Sequence, residues 1–424
     1  MTASEQLAQF AAGSKALPKL CREYKKERAT VHLKELVGGA LSFYAAAAVA
    51  KTGGVHIFVA EDRDAAAYLL NDFYNLLDEK QVYFFPSSYK RSAAYGAEDA
   101  QGVVQRTTAM NAVRGFTKGY LVVCTYPEAL AERVVDAATL QRDTIAVKLG
   151  DKISIAVLED ALADANFTRV DFVYEPGQYS VRGGIVDVFS YSESKPYRID
   201  FFGDEVDSIR RFNISSQLSA DKLDRVEIVP NLNAGEAPRV SFVQFAGSSA
   251  TCWFYDADYV LRRVNDLRRK VLADMEEPGQ IDRLLTSRNV LLRDMAGNSV
   301  VALRDNLPER PATAAVVFDT APQPKFNKNF EMLADDMIRN SLRGYATYIL
   351  SENKVQVERL ENIFHQIGRG QAAVRSLSVT LHEGFVDNDL KLCLYTDHQI
   401  FDRYQRYRIN GEIRRDEQMT VAEL

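Results

Sequence analysis

Residues 54–77 read GVHIFVAEDRDAAAYLLNDFYNLL, and this stretch decides the fold class. Its first seven residues form an apolar run typical of a buried strand, and residues 63–77 repeat apolar side chains at helical spacing. The same alternation continues to residue 135 through QVYFFP (81–86), AQGVVQRTTAMNAVRGF (100–116), GYLVVCT (119–125) and PEALAERVV (127–135). Strands that alternate with helices predict a parallel sheet with helices on its faces.

The composition indicates a multidomain globular protein. The chain has 424 residues, which predicts about two to four domains. Its net charge of −6 argues against a surface that is basic throughout and binds nucleic acid, but it leaves a local basic patch open. The four cysteines and five histidines are scattered, without metal-ligand spacing, and the N-terminus has no signal-peptide pattern. We therefore predict a reduced cytoplasmic protein with no metal and no cofactor.

The segment ELVGGALSF (35–43) stands where a phosphate-binding loop would stand, before an alanine-rich helix. Aligned with the motif G-x-x-x-x-G-K-[ST], it has Glu35 at the first glycine, Gly38 and Gly39 inside the loop, Ala40 at the second glycine, Leu41 at the lysine and Ser42 at the final position. The lysine that neutralises phosphates is thus missing, and Glu35 adds a negative charge. Taken alone, the stretch fits an ordinary strand-to-helix turn better than a nucleotide site.

A second ATPase motif is also incomplete. CWFYDADYV (252–260) has an apolar strand ending in Asp256, but Ala257 replaces the glutamate expected of an ATPase that holds magnesium and orients water. The simpler interpretation is that Asp256 only ends a buried strand. Together the two motifs predict the fold of an ATPase without its chemistry.

The pattern changes to short strands between residues 168 and 214, separated by glycine and proline signals. In FFGDEV, Gly203 and Asp204 separate two alternating runs and predict a hairpin. A small antiparallel β domain is therefore inserted into the α/β part. The α/β texture returns afterwards and closes with HQIFDRYQRY (398–407), which we predict to be a helix.

The inserted segment YEPGQYSVRGGIVDVFSYSESKPYRIDFFGDEVDSIRRFNISSQLS (174–219) resembles the β insertion shared by the excinuclease B subunit and the bacterial transcription-repair coupling factors. The degenerate phosphate loop points to the coupling factors, because the excinuclease B subunit keeps its lysine. The resemblance implies a multidomain α/β protein, in which a degenerate P-loop, helicase-like parallel-sheet domain holds the small antiparallel β domain and a further small α/β domain follows. The predicted parts are residues 1–135 and 215–320 (helicase-like domain), 136–214 (β domain), 321–330 (linker), 331–412 (small α/β domain) and 413–424 (start of a linker to further domains).

The resemblance also implies a function. Such a chain is a non-catalytic adaptor of nucleotide excision repair that recruits the excinuclease A subunit (UvrA) to lesions where RNA polymerase has stalled. The full protein would be an ATP-dependent translocase that binds RNA polymerase and double-stranded DNA through further domains. A C-terminal domain of that protein would mask the UvrA-binding surface.

The strand PYRIDFF (196–202) contains the candidate contact residues. Because side chains alternate in a strand, Tyr197, Ile199 and Phe201 form its core face and Phe202 lies on the wetter face with Arg198. On residue pattern alone, Phe202 is as readily covered by a loop or helix of the neighbouring domain as exposed. The resemblance implies that Arg182, Arg198 and Phe202 contact UvrA, and that the arginine donors suit carboxylates of that partner.

Two alternatives stay open. The chain is a live DNA-dependent ATPase of the excinuclease B type if it turns over ATP and loses this activity when Ser42 is changed. It is a DNA-binding protein if a salt-dependent affinity for DNA is found. No arrangement of serine, histidine and acid, or of cysteine and histidine, indicates catalysis.

Overall fold

The computed structural model describes residues 2–89, 98–233, 237–275, 277–405 and 407–409. Within these ranges the strands are β1 (Thr30–Lys34), β2 (Gly54–Val59), β3 (Val82–Phe84), β4 (Tyr120–Thr125), β5 (Val134–Val135), β6 (Ile145–Lys148), β7 (Thr168–Arg169), β8 (Gln178–Arg182), β9 (Ile185–Val188), β10 (Tyr197–Phe202), β11 (Glu205–Phe212), β12 (Ser219–Leu223), β13 (Arg225–Ile228), β14 (Arg239–Val240), β15 (Thr251–Phe254), β16 (Ser299–Ala302), β17 (Ala314–Val317), β18 (Thr320–Pro322), β19 (Ala346–Leu350), β20 (Ser376–Leu377), β21 (Phe385–Asp387) and β22 (Leu392–Thr396).

The helices in the same ranges are α1 (Ala3–Ala12), α2 (Ala16–Tyr24), α3 (Ala40–Thr52), α4 (Arg63–Leu76), α5 (Ala100–Arg114), α6 (Pro127–Ala131), α7 (Ala137–Asp143), α8 (Ile155–Asp164), α9 (Phe242–Ala246), α10 (Ala257–Asp274), α11 (Ile281–Leu284), α12 (Arg288–Asp294), α13 (Phe330–Leu342), α14 (Lys354–Gln366) and α15 (Asp397–Ile400).

A seven-stranded parallel sheet forms the largest part of the molecule, with the strand order β17-β1-β16-β15-β2-β4-β3. Strand β2 is buried from Val55 to Val59, as expected for a parallel strand covered on both faces. The following helix α4 begins where the Asp62 side chain accepts a hydrogen bond from the Ala65 backbone N–H. The predicted multidomain α/β fold with a helicase-like parallel sheet is confirmed.

The small β domain is a six-stranded, mainly antiparallel sheet in the order β12-β11-β10-β9-β8-β7. Helix α8 covers one of its faces through Leu158 and Leu162, which pack into the domain's own core. The paired strands β5 and β14 lie beside the two connections to the large sheet. The β domain is therefore inserted into the α/β part, as predicted.

A third sheet, in the order β18-β21-β22-β19-β20, belongs to the small α/β unit after residue 320. It shares core contacts with the large sheet, because Phe385 of β21 packs against Phe43 of helix α3 with ring centroids 5.4 Å apart. This docking places the segment between β20 and β21 directly over the start of helix α3.

The predicted division into domains stays a prediction, and three segments behave differently from their sequence pattern. Strands β12 and β13 continue the small domain to residue 228, whereas the pattern placed its end at 214. Strand β18 takes the first residues of the predicted linker 321–330. The predicted helix 398–407 is wrong after residue 400, because Asp402 adopts a left-handed backbone and the chain turns along helix α4 instead. Residues 413–424 lie outside the described ranges.

Candidate functional site

The open face of the small β sheet brings together the three residues predicted to bind a partner. Arg182 ends strand β8, and Arg198 and Phe202 lie on β10 two strands away. Tyr197 and Ile199 point into the core, and Phe201 packs against its margin, which confirms the predicted core face of this strand. Arg198 therefore projects to the side that helix α8 leaves open.

Both arginines bind one buried carboxylate that sequence analysis missed. Asp187 of β9 is 1% exposed and accepts hydrogen bonds from Arg198 Nε (2.7 Å) and Nη2 (2.8 Å) and from Arg182 Nη2 (2.6 Å). The hydrogen bonds to Asp187 raise the pKa of Arg198 above its ordinary value, against the opposing effect of burial. A buried carboxylate needs such partners, and Asp187 holds the guanidinium of Arg198 through two hydrogen bonds and that of Arg182 through one.

Arg198 has little donor capacity left for a partner. Besides its two bonds to Asp187, its Nη1 donates to the backbone carbonyl of Gln217 at 3.3 Å, and its guanidinium lies 4.5 Å from the ring centroid of Phe212. Arg182 makes one hydrogen bond to Asp187 and lies over Phe172 at 4.7 Å. The resemblance implied that the paired donors of Arg198 bind carboxylates of a partner. In the structure they bind Asp187 of the same domain.

Phe202 is exposed to solvent at 84% of its surface. It ends β10 opposite Glu205, and the turn through Gly203 and Asp204 is possible because Gly203 adopts a φ of +61°. The alternative in which a neighbouring loop covers Phe202 is therefore wrong. An exposed aromatic side chain on the same sheet face as Arg182 and Arg198 has the composition of a binding hot spot.

The degenerate phosphate loop is closed by the third unit. Its backbone turns back on itself, since Ala40 N–H donates to the Val37 carbonyl and Leu41 N–H to the Gly38 carbonyl. The backbone carbonyl of Glu383 lies so close to Gly39 that a β-carbon there would clash with it. Backbone of the third unit therefore lies directly against Gly39 of the loop.

Ser42, which this sequence retains from the motif, also makes a structural contact. Ser42 is buried, and its hydroxyl donates to Asp72 Oδ2 at 2.6 Å. The other carboxylate oxygen of Asp72 accepts the backbone N–H of His382 at 2.6 Å, and the His382 ring stacks on Tyr68. This chain of contacts joins the loop, helix α4 and the third unit.

The residues of the second ATPase motif, Asp256 and Ala257, also make structural contacts. Asp256 is buried at the start of helix α10, where its carboxylate accepts hydrogen bonds from the Tyr259 N–H (2.8 Å) and from Asn306 Nδ2 (2.8 Å). Ala257 is buried as the first residue of that helix. The simpler interpretation of Asp256, as the end of a buried strand, agrees with this geometry, and its N-cap role could have been inferred from the helical pattern after it.

A cleft of about 310 Å³ remains beside the loop. Its lining is mostly apolar, with Leu41, Tyr68 and Leu303 among the contributing residues. The acidic side chains in the lining are Glu61, Asp72 and Glu383, and no lysine or arginine of the described ranges lines it. The lining residues therefore supply no cationic side chain that could neutralise a polyphosphate.

The described residues contain no cluster of histidine, cysteine and acidic side chains that could hold a metal ion. Among those same residues, no helix is both long and apolar enough to span a bilayer.

The carboxyl group of Asp72 makes stability depend on pH. Burial raises the pKa of Asp72 to about 7, and the hydrogen bonds from Ser42 and His382 oppose this rise. A carboxyl with a higher pKa in the folded than in the unfolded chain binds a proton on folding, so the free energy of unfolding falls as pH rises from about 4 to about 7. Burial of His56, which lowers its pKa to about 4, acts in the opposite direction over much of this range, so the contribution of Asp72 is measured against a variant that lacks its carboxyl group.

The matched variant is Asp72→Asn, which does not titrate: its amide oxygen can accept the His382 N–H, and its NH2 can donate to the Ser42 hydroxyl while that hydroxyl donates to the Gly39 carbonyl. Thermal denaturation of parent and variant should be compared at several pH values across the same range. The melting temperature of the parent should fall relative to that of the variant as pH rises, and equal slopes in the two proteins would show that Asp72 is not the titrating group.

The comparisons with known proteins agree with the sequence resemblance. Residues 145–233 match the family model described as the UvrB interaction domain. The chain is 27% identical over 199 residues to the transcription-repair-coupling factors of Bacillus subtilis (strain 168) and of Escherichia coli (strain K12), which is 47% of this chain and 17% of each relative. It is 35% identical over 101 residues to that of Haemophilus influenzae, covering 24% of this chain and 9% of the relative.

The alignments thus span less than a fifth of the length of these relatives. The matched domain contains Arg182, Arg198 and Phe202, and its limits fit the strands from β6 to β13. Residues 145–233 are therefore similar to the UvrB interaction domain, and the chain is similar to one part of the transcription-repair-coupling factors.

Proposed function

We propose that this chain is a non-catalytic adaptor of transcription-coupled nucleotide excision repair, which binds the excinuclease A subunit (UvrA) through the open face of its β domain. The proposal rests mainly on the exposure of the Phe202 side chain. This ring lies on the same face of the β sheet as the Arg182–Asp187–Arg198 cluster, within the segment that matches the UvrB interaction domain. The strand and its hairpin already fix the backbone of Phe202, so binding has to order only the two torsions of its side chain.

The residues present in the two ATPase motifs support the proposal that this chain does not hydrolyse ATP. The loop has Leu41 at the lysine position and backbone from the third unit above Gly39, and Asp256 is engaged as a helix cap. An ATPase of the excinuclease B type would need both positions free to hold phosphates and magnesium. The geometry therefore favours an adaptor over the ATPase alternative.

The wider role is proposed by analogy with the transcription-repair-coupling factors that the chain resembles. The adaptor would bring UvrA to lesions where RNA polymerase has stalled, in the cytoplasm, while further domains of a full protein would bind RNA polymerase and double-stranded DNA and supply ATP-driven translocation. Intramolecular masking of the β-domain face by a C-terminal domain would then regulate access to Phe202. Under this proposal the chain itself needs no cofactor.

The test is binding of purified UvrA to the chain by calorimetry. A variant with Arg182, Arg198 and Phe202 all changed to alanine should bind at least about a hundredfold more weakly, because these residues form the centre of the proposed contact. Leu342→Ala is the matched control, since Leu342 is equally exposed but lies on the third unit. Circular dichroism checks the folding of each variant.

Loss of binding in the triple variant and unchanged binding in the control would support the proposal. Equal binding by parent and triple variant would move the UvrA contact away from this face. If the parent does not bind UvrA at all, the adaptor function itself fails.

A further inference from the structure

A third arginine lies on the same open face, and the sequence resemblance did not single it out. Arg210 of strand β11 is the direct cross-strand neighbour of Arg198 on β10. Like charges directly opposite each other normally destabilise a sheet. Here they are separated by an ordered set of counterions, since Asp187 lies on one side of Arg198 and Asp200 binds Arg210 on the other.

The three arginines differ in how many of their donors are already used. Arg198 in the middle has all three nitrogens hydrogen-bonded, and its side chain is 15% exposed. Arg182 and Arg210, on the outer strands, each bind a carboxylate through one nitrogen only and are 36% and 31% exposed. The Nε of Arg210 is buried and has no hydrogen-bond partner within the described ranges.

We infer that the outer arginines, Arg182 and Arg210, bind carboxylates of the partner, whereas Arg198 acts as a positioning residue. This inference rests on the proposed UvrA-binding function and refines its contact surface. Strands β8 and β11 are three strand spacings apart, roughly 14 Å between backbones, and Arg182 is level with Asp200 of β10 whereas Arg210 is level with Arg198, so the partner presents two well-separated acidic side chains. Phe202 fills an apolar pocket of the same partner.

The interleaved aspartates favour an acidic protein surface over a nucleic acid. Asp187 and Asp200 cancel much of the positive field of the three arginines, and the hairpin beside Phe202 carries Asp204 and Glu205. A continuous phosphate backbone would meet these carboxylates as well as the arginines. A protein partner with two separate acidic groups meets only the outer arginines.

The deciding experiment uses the whole chain and purified UvrA in calorimetric titrations at low and high salt. Arg210→Ala should weaken binding about tenfold or more and reduce its salt dependence, since it removes a charge-assisted hydrogen bond. Arg211→Ala is the matched control, because Arg211 adjoins Arg210 in sequence but pairs with Glu193 and Tyr197 on the other side of the sheet. The control should bind within about twofold of the parent.

Lysine variants separate contact from positioning. Arg210→Lys should retain most of the affinity, because one charged donor suffices for a single carboxylate. Arg198→Lys should bind as weakly as Arg198→Ala, since lysine has no planar fork with which to hold both oxygens of Asp187 and the Gln217 carbonyl. Melting temperatures of all variants confirm that they are folded.

The outcomes are distinct. If the parent binds UvrA and Arg210→Ala binds equally well, the inference fails while the adaptor function stands. If the parent does not bind UvrA, both fail together. If Arg210→Ala keeps its affinity for UvrA but loses affinity for a DNA duplex titrated in parallel, Arg210 contacts nucleic acid and the inference is overturned.

Discussion

Replacing Phe202 by alanine should weaken UvrA binding about thirtyfold or more and leave the stability of the chain unchanged. Phe202 is 84% exposed, so its removal opens no cavity in the folded protein. In the complex the same ring would become buried, and truncation of a buried aromatic anchor costs about 2 kcal/mol or more of binding free energy. Calorimetry measures the affinity, and thermal denaturation measures the stability.

Two further variants test whether the loss of affinity is specific to the Phe202 ring. Phe202→Leu should lose less affinity than Phe202→Ala, because leucine keeps most of the apolar volume. Leu342→Ala should bind like the parent, since it removes an equally exposed side chain from another surface. A Phe202→Ala variant that binds within about twofold of the parent would rule out the ring as an anchor.

Replacing Asp187 by alanine should destabilise the β domain by roughly 3 kcal/mol, the lower part of the range for breaking a buried ion pair. Asp187 is buried and compensates two arginines at once. Its removal leaves Arg198, which is mostly buried, without a counterion for its Nε and Nη2 groups. Arg182 is less affected, because its half-exposed side chain can turn towards water.

Hydrogen exchange is the suitable measurement, since the chain has several domains and a single unfolding free energy is not well defined. Amides of strands β8, β9 and β10 should exchange roughly a hundredfold faster in Asp187→Ala, and those of β2 and β4 should not change. Asp200→Ala is the matched control with a smaller expected effect, because Asp200 is partly exposed. Equal protection of β8 to β10 in parent and Asp187→Ala would contradict a structural role for the cluster.

Local patterns in the sequence were enough to predict the main elements. The alternation that begins with residues 54–77 corresponds to β2 and α4 of the parallel sheet, because apolar spacing follows the geometry of each element directly. The same reasoning placed Tyr197 and Ile199 in the core and Phe202 on the opposite face, but it left open whether Phe202 was covered, and the structure shows that it is exposed. Residues 401–405 and 407–409 were harder to predict, since they form no helix and Tyr407 packs against Tyr68 of helix α4.

The sequence by itself determined the fold class, the inserted β domain and the loss of the phosphate-loop lysine, because each of these depends on residues that are close together in the chain. Only the tertiary structure decided that Asp187 occupies the donors of Arg198, and that the third unit closes the loop above Gly39. The physical reason is that strand periodicity fixes the face on which a side chain lies, but not the partner it meets there. Those partners come from other strands and from the far end of the chain, and packing alone brings them together.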